Sequence, residues 1–137
     1  MDAFIRFARD SGKDYKGRKN CFKSLKKVQK YFCTLNDEEE NNNFFFHPRN
    51  IQDIKNGSKL YFMFDGKVVA RAIYTGSMTD EEREEKFRYG YEIKNVMLFC
   101  PPIKLKENPC QGRVNIRYIG NNKYQIDEED KKNLNLF

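Results

Sequence analysis

The sequence predicts an α+β domain: a small curved sheet or β-barrel of five to six strands, flanked by two to three helices. Apolar runs of strand length, separated by turn residues, fill much of residues 57–119, and a segment near residue 20 has helical periodicity. At 137 residues, the chain is long enough to bury one core without disulfide or metal support. We therefore expect residues 1–137 to form a single domain.

The N-terminal third predicts a strand, a basic loop and a helix. In residues 3–8 (AFIRFA), large apolar residues alternate with basic or small ones, as in a strand. Residues 10–20 (DSGKDYKGRKN) have the composition of a loop. From Asn20, a candidate N-cap, the next residues follow a helical period. An apolar stripe then contains Cys21, Leu25, Val28 and Phe32, and the opposite side contains Lys23, Lys26, Lys27 and Lys30.

The predicted helix lacks the acidic partners that surface helices ordinarily use to form i,i+4 pairs. No Asp or Glu occurs between residues 15 and 36. Residues 1–34 hold ten Lys and Arg against three Asp, a balance of +7, whereas the other 103 residues sum to −1. Charge concentrated in this way favours a surface that meets a polyanion.

The middle of the chain predicts a short strand and a hairpin. In FFFHPRN (44–50), Phe45 should face the opposite side from Phe44 and Phe46, and we interpret the only histidine, His47, as a hydrogen-bonded structural residue. Asp65-Gly66 between two apolar runs predicts a type I′ turn. Simple alternation after it puts Lys67, Val69 and Arg71 on one face.

The last third predicts three more strands and two helical segments. Residues 77–87 suggest a short acidic helix or helical loop capped by Ser77 or Thr79. A long strand should cover 88–100 and end at Pro101-Pro102, with further strands at 112–120 and 122–126. Asp127 caps a predicted terminal helix.

Several classes of site and location are disfavoured by the sequence. No run approaches the ~20 apolar residues of a membrane span, and no signal-peptide pattern is present, so we expect a soluble cytoplasmic protein without a membrane partner. The four cysteines form no C-x-x-C pair, which disfavours zinc and favours reduced thiols. We expect neither a cofactor nor a bound metal.

The order of these elements resembles a known family. A first strand and a basic helix are followed by the segment IKNGSKLYFMFDGKVVARAI (54–73) and by a long strand ending in Pro-Pro. This order, over nearly the whole chain, resembles the PUA-like superfamily, particularly its EVE and YTH branches. The matching residues are Ile54, Gly57, Leu60, Tyr61, Phe62, Gly66, Val68, Val69, Ala70 and Ala72.

The resemblance implies a compact, non-catalytic β-barrel domain that binds nucleic acid and holds a modified base in an aromatic pocket. By position, the pocket draws on the loop after the first strand and on the loop before the long strand. The sequence lacks tryptophan, so stacking would fall to Tyr and Phe. The predicted pocket residues are Arg9, Ser11, Tyr15, Phe87, Tyr89 and Asn95.

Cations near this pocket are expected to contact the nucleic-acid backbone. If five to seven of them contact phosphates, the logarithm of the affinity should fall with the logarithm of the salt concentration with a slope of roughly −4 to −6. Phosphate contacts position the ligand, whereas preference for a base must come from the pocket. The predicted backbone contacts are Lys16, Arg18, Lys19, Lys23, Lys26, Lys27, Lys30 and Arg88.

We predict that the protein binds DNA rather than RNA and reads a modified or flipped base. This follows the analogy with target-recognition modules of modification-dependent restriction systems, and it implies association or fusion with a motor or nuclease component. The chain would then be the N-terminal module of a larger protein. Three alternatives stay open: an RNA-binding PUA-like protein, a Mg²⁺-dependent nuclease using Asp65 or Asp80 with Glu92 and Lys94, and a protein-interaction module.

Overall fold

A mixed β-sheet dominates the fold. The computed structural model describes residues 2–9, 21–37, 43–47, 50–51, 54–82, 89–112 and 114–119. One α-helix is present in these ranges, α1 (Leu25–Asp37). The strands are β1 (Ala3–Arg6), β2 (Ala8–Arg9), β3 (Cys21–Phe22), β4 (Asn43–His47), β5 (Lys59–Phe64), β6 (Lys67–Ser77), β7 (Tyr89–Lys104) and β8 (Ile116–Tyr118).

Six of the strands form one sheet in the order β4-β7-β6-β5-β1-β8. All neighbours are antiparallel except β1 and β5, and the short strands β2 and β3 pair separately in parallel. Within the described ranges β4 and β8 are the edges, so the sheet is open. The α+β class is confirmed. No helix in those ranges is both long and apolar enough to cross a bilayer.

The side of the sheet that α1 covers contains the larger core, and we call it the helix-covered face. Leu60, Phe62 and Phe64 point to this face from β5. Its centre is Phe7, whose fully buried ring lies 5.4 to 6.4 Å from five other aromatic rings. These five rings are those of Phe22, Tyr31, Phe32, Phe45 and Phe62.

The other side of the sheet, the far face, carries a smaller core at one end. Phe4, Tyr61 and Met63 pack there with residues from β6, β7 and the segment that follows β7. The Arg6 guanidinium anchors this segment by donating to the Gly112 carbonyl at 2.5 Å and to Asn115 Oδ1 at 2.9 Å. The sheet therefore separates two apolar clusters.

Helix α1 begins later than the sequence predicts. Ser24 is the N-cap, because its Oγ accepts the Lys27 N–H at 3.3 Å and its carbonyl accepts the Val28 N–H. The prediction of Asn20 as the cap is wrong, since Cys21 and Phe22 pair with β2 instead of entering the helix. The buried stripe is Val28, Phe32 and Leu35, with Leu25 half-buried.

The hairpin prediction is confirmed, but the alternation after it is wrong. Asp65 and Gly66 have φ of 51° and 76°, as a type I′ turn requires. The register shifts between Val68 and Ala70, so that Val69 and Ala70 both join the helix-covered core. As a result, Lys67 and Arg71 lie on opposite faces.

Two predictions about β4 are confirmed. His47 is fully buried, and its Nε2 lies 3.4 Å from the Arg6 carbonyl, as expected for a structural residue. Phe45 is fully buried whereas Phe44 is half-buried, so the two phenylalanines do have different surroundings.

The later elements agree with the sequence in part. Thr79 forms the predicted capping interaction, since its N–H and Oγ1 both donate to Glu82 Oε1. Strand β7 does not end at Pro101-Pro102 but continues to Lys104, and the strand predicted at 112–120 covers only Ile116–Tyr118. The predicted strand at 122–126 and helix from Asp127 lie outside the described residues.

Candidate nucleic-acid interface

The start of α1 is tied to the end of the first strand region. Ala8 and Arg9 in β2 pair with Cys21 and Phe22 in β3, and α1 begins at Leu25. The two residues that flank segment 10–20, Arg9 and Cys21, therefore lie on paired strands just before α1. Segment 10–20 itself, with its predicted contacts, lies outside the described residues. Those contacts are Ser11, Tyr15, Lys16, Arg18 and Lys19.

Three lysines of α1 form what we call the lysine face: Lys26, Lys27 and Lys30. All three are exposed, because Val28 and Phe32 turn the opposite side of the helix into the core. Gln29 contacts β7, where its Nε2 lies 3.8 Å from Cys100 Sγ. Packing thus holds the lysine face outward, as the sequence predicts. The prediction that Lys23 belongs to the same helix face is wrong, because α1 begins at Leu25 and Lys23 lies in the bend before it, where it is exposed.

The charged residues of α1 are distributed unfavourably with respect to the helix dipole. The first turn contains no acidic residue, and the last turn contains no basic residue. Lys26 and Lys27 instead lie in the first turn, near the positive end of the dipole, where cations are unfavourable by a few tenths of a kcal/mol each at the surface. Helix stability therefore does not account for these lysines.

The structure describes three of the six predicted pocket residues. Arg9 belongs to β2, and Tyr89 is half-buried against the helix-covered core opposite His47. Asn95 is exposed with φ 54°, at a bulge of β7. Tyr89 and Asn95 are six residues apart on one strand, about 20 Å, so one base contacts only one of them. Phe87 and Arg88 lie outside the described residues.

Two residues of the nuclease alternative, Asp65 and Glu92, lie far apart along the sheet. Glu92 is opposite Gly76 and accepts a hydrogen bond from Thr75 Oγ1 at 2.7 Å, whereas Asp65 lies in the turn before Lys67. The nine residues from Lys67 to Gly76 correspond to about 30 Å, so Asp65 and Glu92 cannot share one ion. Among the described residues, no three His, Cys, Asp or Glu side chains are grouped for metal binding.

Arg71 is a half-buried cation on the far face that the sequence left unassigned. Its Nη2 lies 2.9 Å from Met97 Sδ, and its guanidinium hydrogen-bonds the Tyr61 hydroxyl. Burial and then Asp2 raise the pKa of Tyr61, while Arg71 acts in the opposite direction. These contacts give Arg71 a structural role among neutral cross-strand neighbours.

Two further lysines were not predicted as part of an interface. Lys67 and Lys104 are exposed and lie directly opposite each other on β6 and β7. Their pairing depends on the register of two bulged strands, which local sequence patterns do not reveal.

No family model matches the chain and no curated protein matches it, so we base function on charge and geometry.

Proposed function

We propose that the protein binds nucleic acid through the lysine face of α1. The observation that carries this proposal is the placement of Lys26, Lys27 and Lys30 on the exposed side of α1, with no acidic residue on the helix before Asp37. Such a surface is unfavourable for an isolated helix but favourable when phosphates neutralise it and counterions are released. A polyanionic ligand explains why the charges are arranged this way.

The resemblance to the EVE and YTH branches of the PUA-like superfamily supports the choice of nucleic acid. The resemblance rests on the order of first strand, basic helix, apolar hairpin and long strand along the chain. By analogy with target-recognition modules of modification-dependent restriction systems, we propose DNA as the ligand and a motor or nuclease as the associated component.

A modified or flipped base would be held beside the lysine face. Arg9 and Cys21, which flank segment 10–20 in the chain, lie close to the start of α1, and this favours Tyr15 and Ser11 of that segment as pocket residues. Tyr89, half-buried at the start of β7, is the candidate described in the structure. Stacking on an aromatic ring contributes about 1 to 3 kcal/mol per base, enough to offset part of the extrusion energy.

The salt dependence of binding tests the lysine face. Duplex affinity is measured between about 50 and 200 mM salt for the wild type and for Lys26→Ala/Lys27→Ala/Lys30→Ala. We expect the triple variant to bind more weakly and to reduce the magnitude of the log-log slope by roughly 2 to 3. An unchanged affinity and slope would refute the proposal.

A matched control removes the same charge elsewhere. Lys55, Lys59 and Lys94 are exposed lysines in the half of the sheet away from the Asp65-Gly66 turn. Their replacement by Ala should leave the slope near the wild-type value. Binding that depends little on salt and resists competition by heparin would instead indicate a protein partner.

The pocket requires its own measurement, because phosphate contacts do not discriminate between bases. The ratio of affinities for methylated and unmethylated duplexes is compared for wild type and Tyr89→Ala, with the fold checked by circular dichroism. We expect the ratio to approach one in Tyr89→Ala while the salt slope stays unchanged. A preference that survives this substitution would remove Tyr89 from the pocket.

A further inference from the structure

We propose that the nucleic-acid surface continues from α1 across the end of the sheet to Lys67 and Lys104, which we call the sheet-end pair. This inference rests on the proposed function and extends it to residues that the helix does not contain. Three observations carry it: the two lysines share a face with α1, they lie at the same end of the sheet as its N-terminus, and they face each other directly.

The sheet-end pair lies on the helix-covered face. Lys67 is opposite Phe64, which packs in the helix-covered core, and Lys104 is opposite Lys67. The adjacent residues Val68 and Ile103 are opposite each other and pack in the far-face core. Because successive side chains of a strand point to opposite faces, both lysines are on the side that α1 covers.

The pair also lies at the end of the sheet where α1 begins. The Phe7 N–H donates to the Met63 carbonyl at 2.8 Å, so the chain after β1 runs beside the last residues of β5, next to the turn. Strands β2 and β3 then lead into α1. Gln29 contacts Cys100. Lys104 is four residues further along β7, so the Cα atoms of Cys100 and Lys104 are at most about 13 Å apart.

Direct opposition of two lysines is unfavourable for the sheet itself. Like charges directly across an antiparallel pair repel each other. Both lysines are exposed, and the exposed Asp65 adjoins Lys67 in the turn. A bound phosphate between the two strands would remove the repulsion, which is the role that we assign to the pair.

The combined surface fits an extended polyanion rather than a single phosphate group. It contains the lysine face and the sheet-end pair, separated by one turn of α1 and about four residues of β7, or roughly 15 to 20 Å. At one base pair per 3.4 Å, this span corresponds to about four to six base pairs of duplex. We therefore infer that one duplex contacts α1 and the end of the sheet together.

The experiment compares two double variants of equal charge change. Lys67→Ala/Lys104→Ala removes the sheet-end pair, and Lys59→Ala/Lys94→Ala removes two exposed lysines that flank Ile73 on the far face. With a duplex of about twelve base pairs, we expect the first variant to reduce the magnitude of the salt slope by about 2, and the second to leave it unchanged.

The outcomes separate this inference from the proposed function. If the lysine-face triple variant weakens binding but the sheet-end variant does not, the extension is refuted and the proposed function stands. If neither variant changes the slope, both are refuted. Loss of folding does not confuse the result, because removing a like-charge pair should leave the unfolding midpoint equal to or above that of the wild type.

Discussion

Single polar groups in this protein are held by specific partners inside an aromatic core. The Tyr91 hydroxyl accepts the Ile51 N–H at 2.6 Å, which holds Ile51 beside β7. Burial raises the pKa of Tyr91, so the phenol stays neutral throughout the physiological range. A phenylalanine at this position would leave the Ile51 N–H without its buried acceptor.

Cys110 is predicted to be the least reactive of the three cysteines whose side chains the structure describes. Burial raises its pKa to about 11, whereas Cys33 and Cys100 are exposed. At pH 8, iodoacetamide followed by mass spectrometry should show rapid alkylation of Cys33 and Cys100 and protection of Cys110. Equal rates at all three would contradict the packing of the far-face core.

The same thiol gives a pH dependence with a defined sign. Because the folded state raises the pKa of Cys110 from 9.0 to about 11, its contribution to stability is complete below pH 9 and is lost as the pH rises towards 11. In Cys110→Ala, the free energy of unfolding should decline less between these values. An identical alkaline decline in both proteins would assign the effect to other groups.

For single residues, the sequence predicts a conformation correctly when that conformation depends only on neighbouring residues in the chain. Asp65-Gly66 was predicted correctly because its conformation depends on two adjacent residues. Asn95, a predicted base contact, also has a left-handed backbone at a bulge of β7, which was not predicted. A bulge depends on the partner strand, so the sequence around Asn95 does not reveal it.

The structural elements on which the proposed function depends most are α1 and the two short strands before it. The helical period predicted the lysine face correctly, because Lys26, Lys27 and Lys30 recur on the same side. The start of the helix was misplaced because Asn20 and Ser24 are both good N-caps. The pairing of β2 with β3 decides between them, and that contact joins residues outside the local pattern.

Substitution of Ser24 tests the observed start of α1. Ser24→Ala removes the acceptor for the Lys27 N–H and should lower the free energy of unfolding by about 1 kcal/mol, measured by urea denaturation. Ser24→Asn keeps an N-cap acceptor and should remain within about 0.5 kcal/mol of the wild type. A Ser24→Ala protein as stable as the wild type would mean that the helix begins elsewhere.

For the molecule as a whole, stability is concentrated around Phe7. Phe7→Ala should lower the free energy of unfolding by about 3 to 5 kcal/mol, because it opens a cavity among five rings. Phe44→Ala, at a half-buried position, should have a smaller effect, about 1 kcal/mol. The comparison uses denaturation midpoints, and similar losses in the two variants would refute a core centred on Phe7.

In both the architecture and the proposed site, the sequence predicts the features that depend on local patterns and misses those that depend on strand pairing. The α+β class followed from strand periodicity and one helical segment, both of which are local. The strand order did not, since β1 lies between β5 and β8, far from both in the chain. Similarly, the lysine face follows from one helix, whereas the sheet-end pair exists only because β6 and β7 align Lys67 with Lys104.

The position of β1 has a consequence for synthesis of the chain. This strand leaves the ribosome before the other described strands, but its two partners come from Lys59–Phe64 and Ile116–Tyr118. Its hydrogen bonds are therefore complete only after residue 118 has emerged, so nascent chains that are shorter expose an apolar strand edge. Folding of the full sheet is then expected to be late and slow compared with helix formation, as non-local strand pairing dictates.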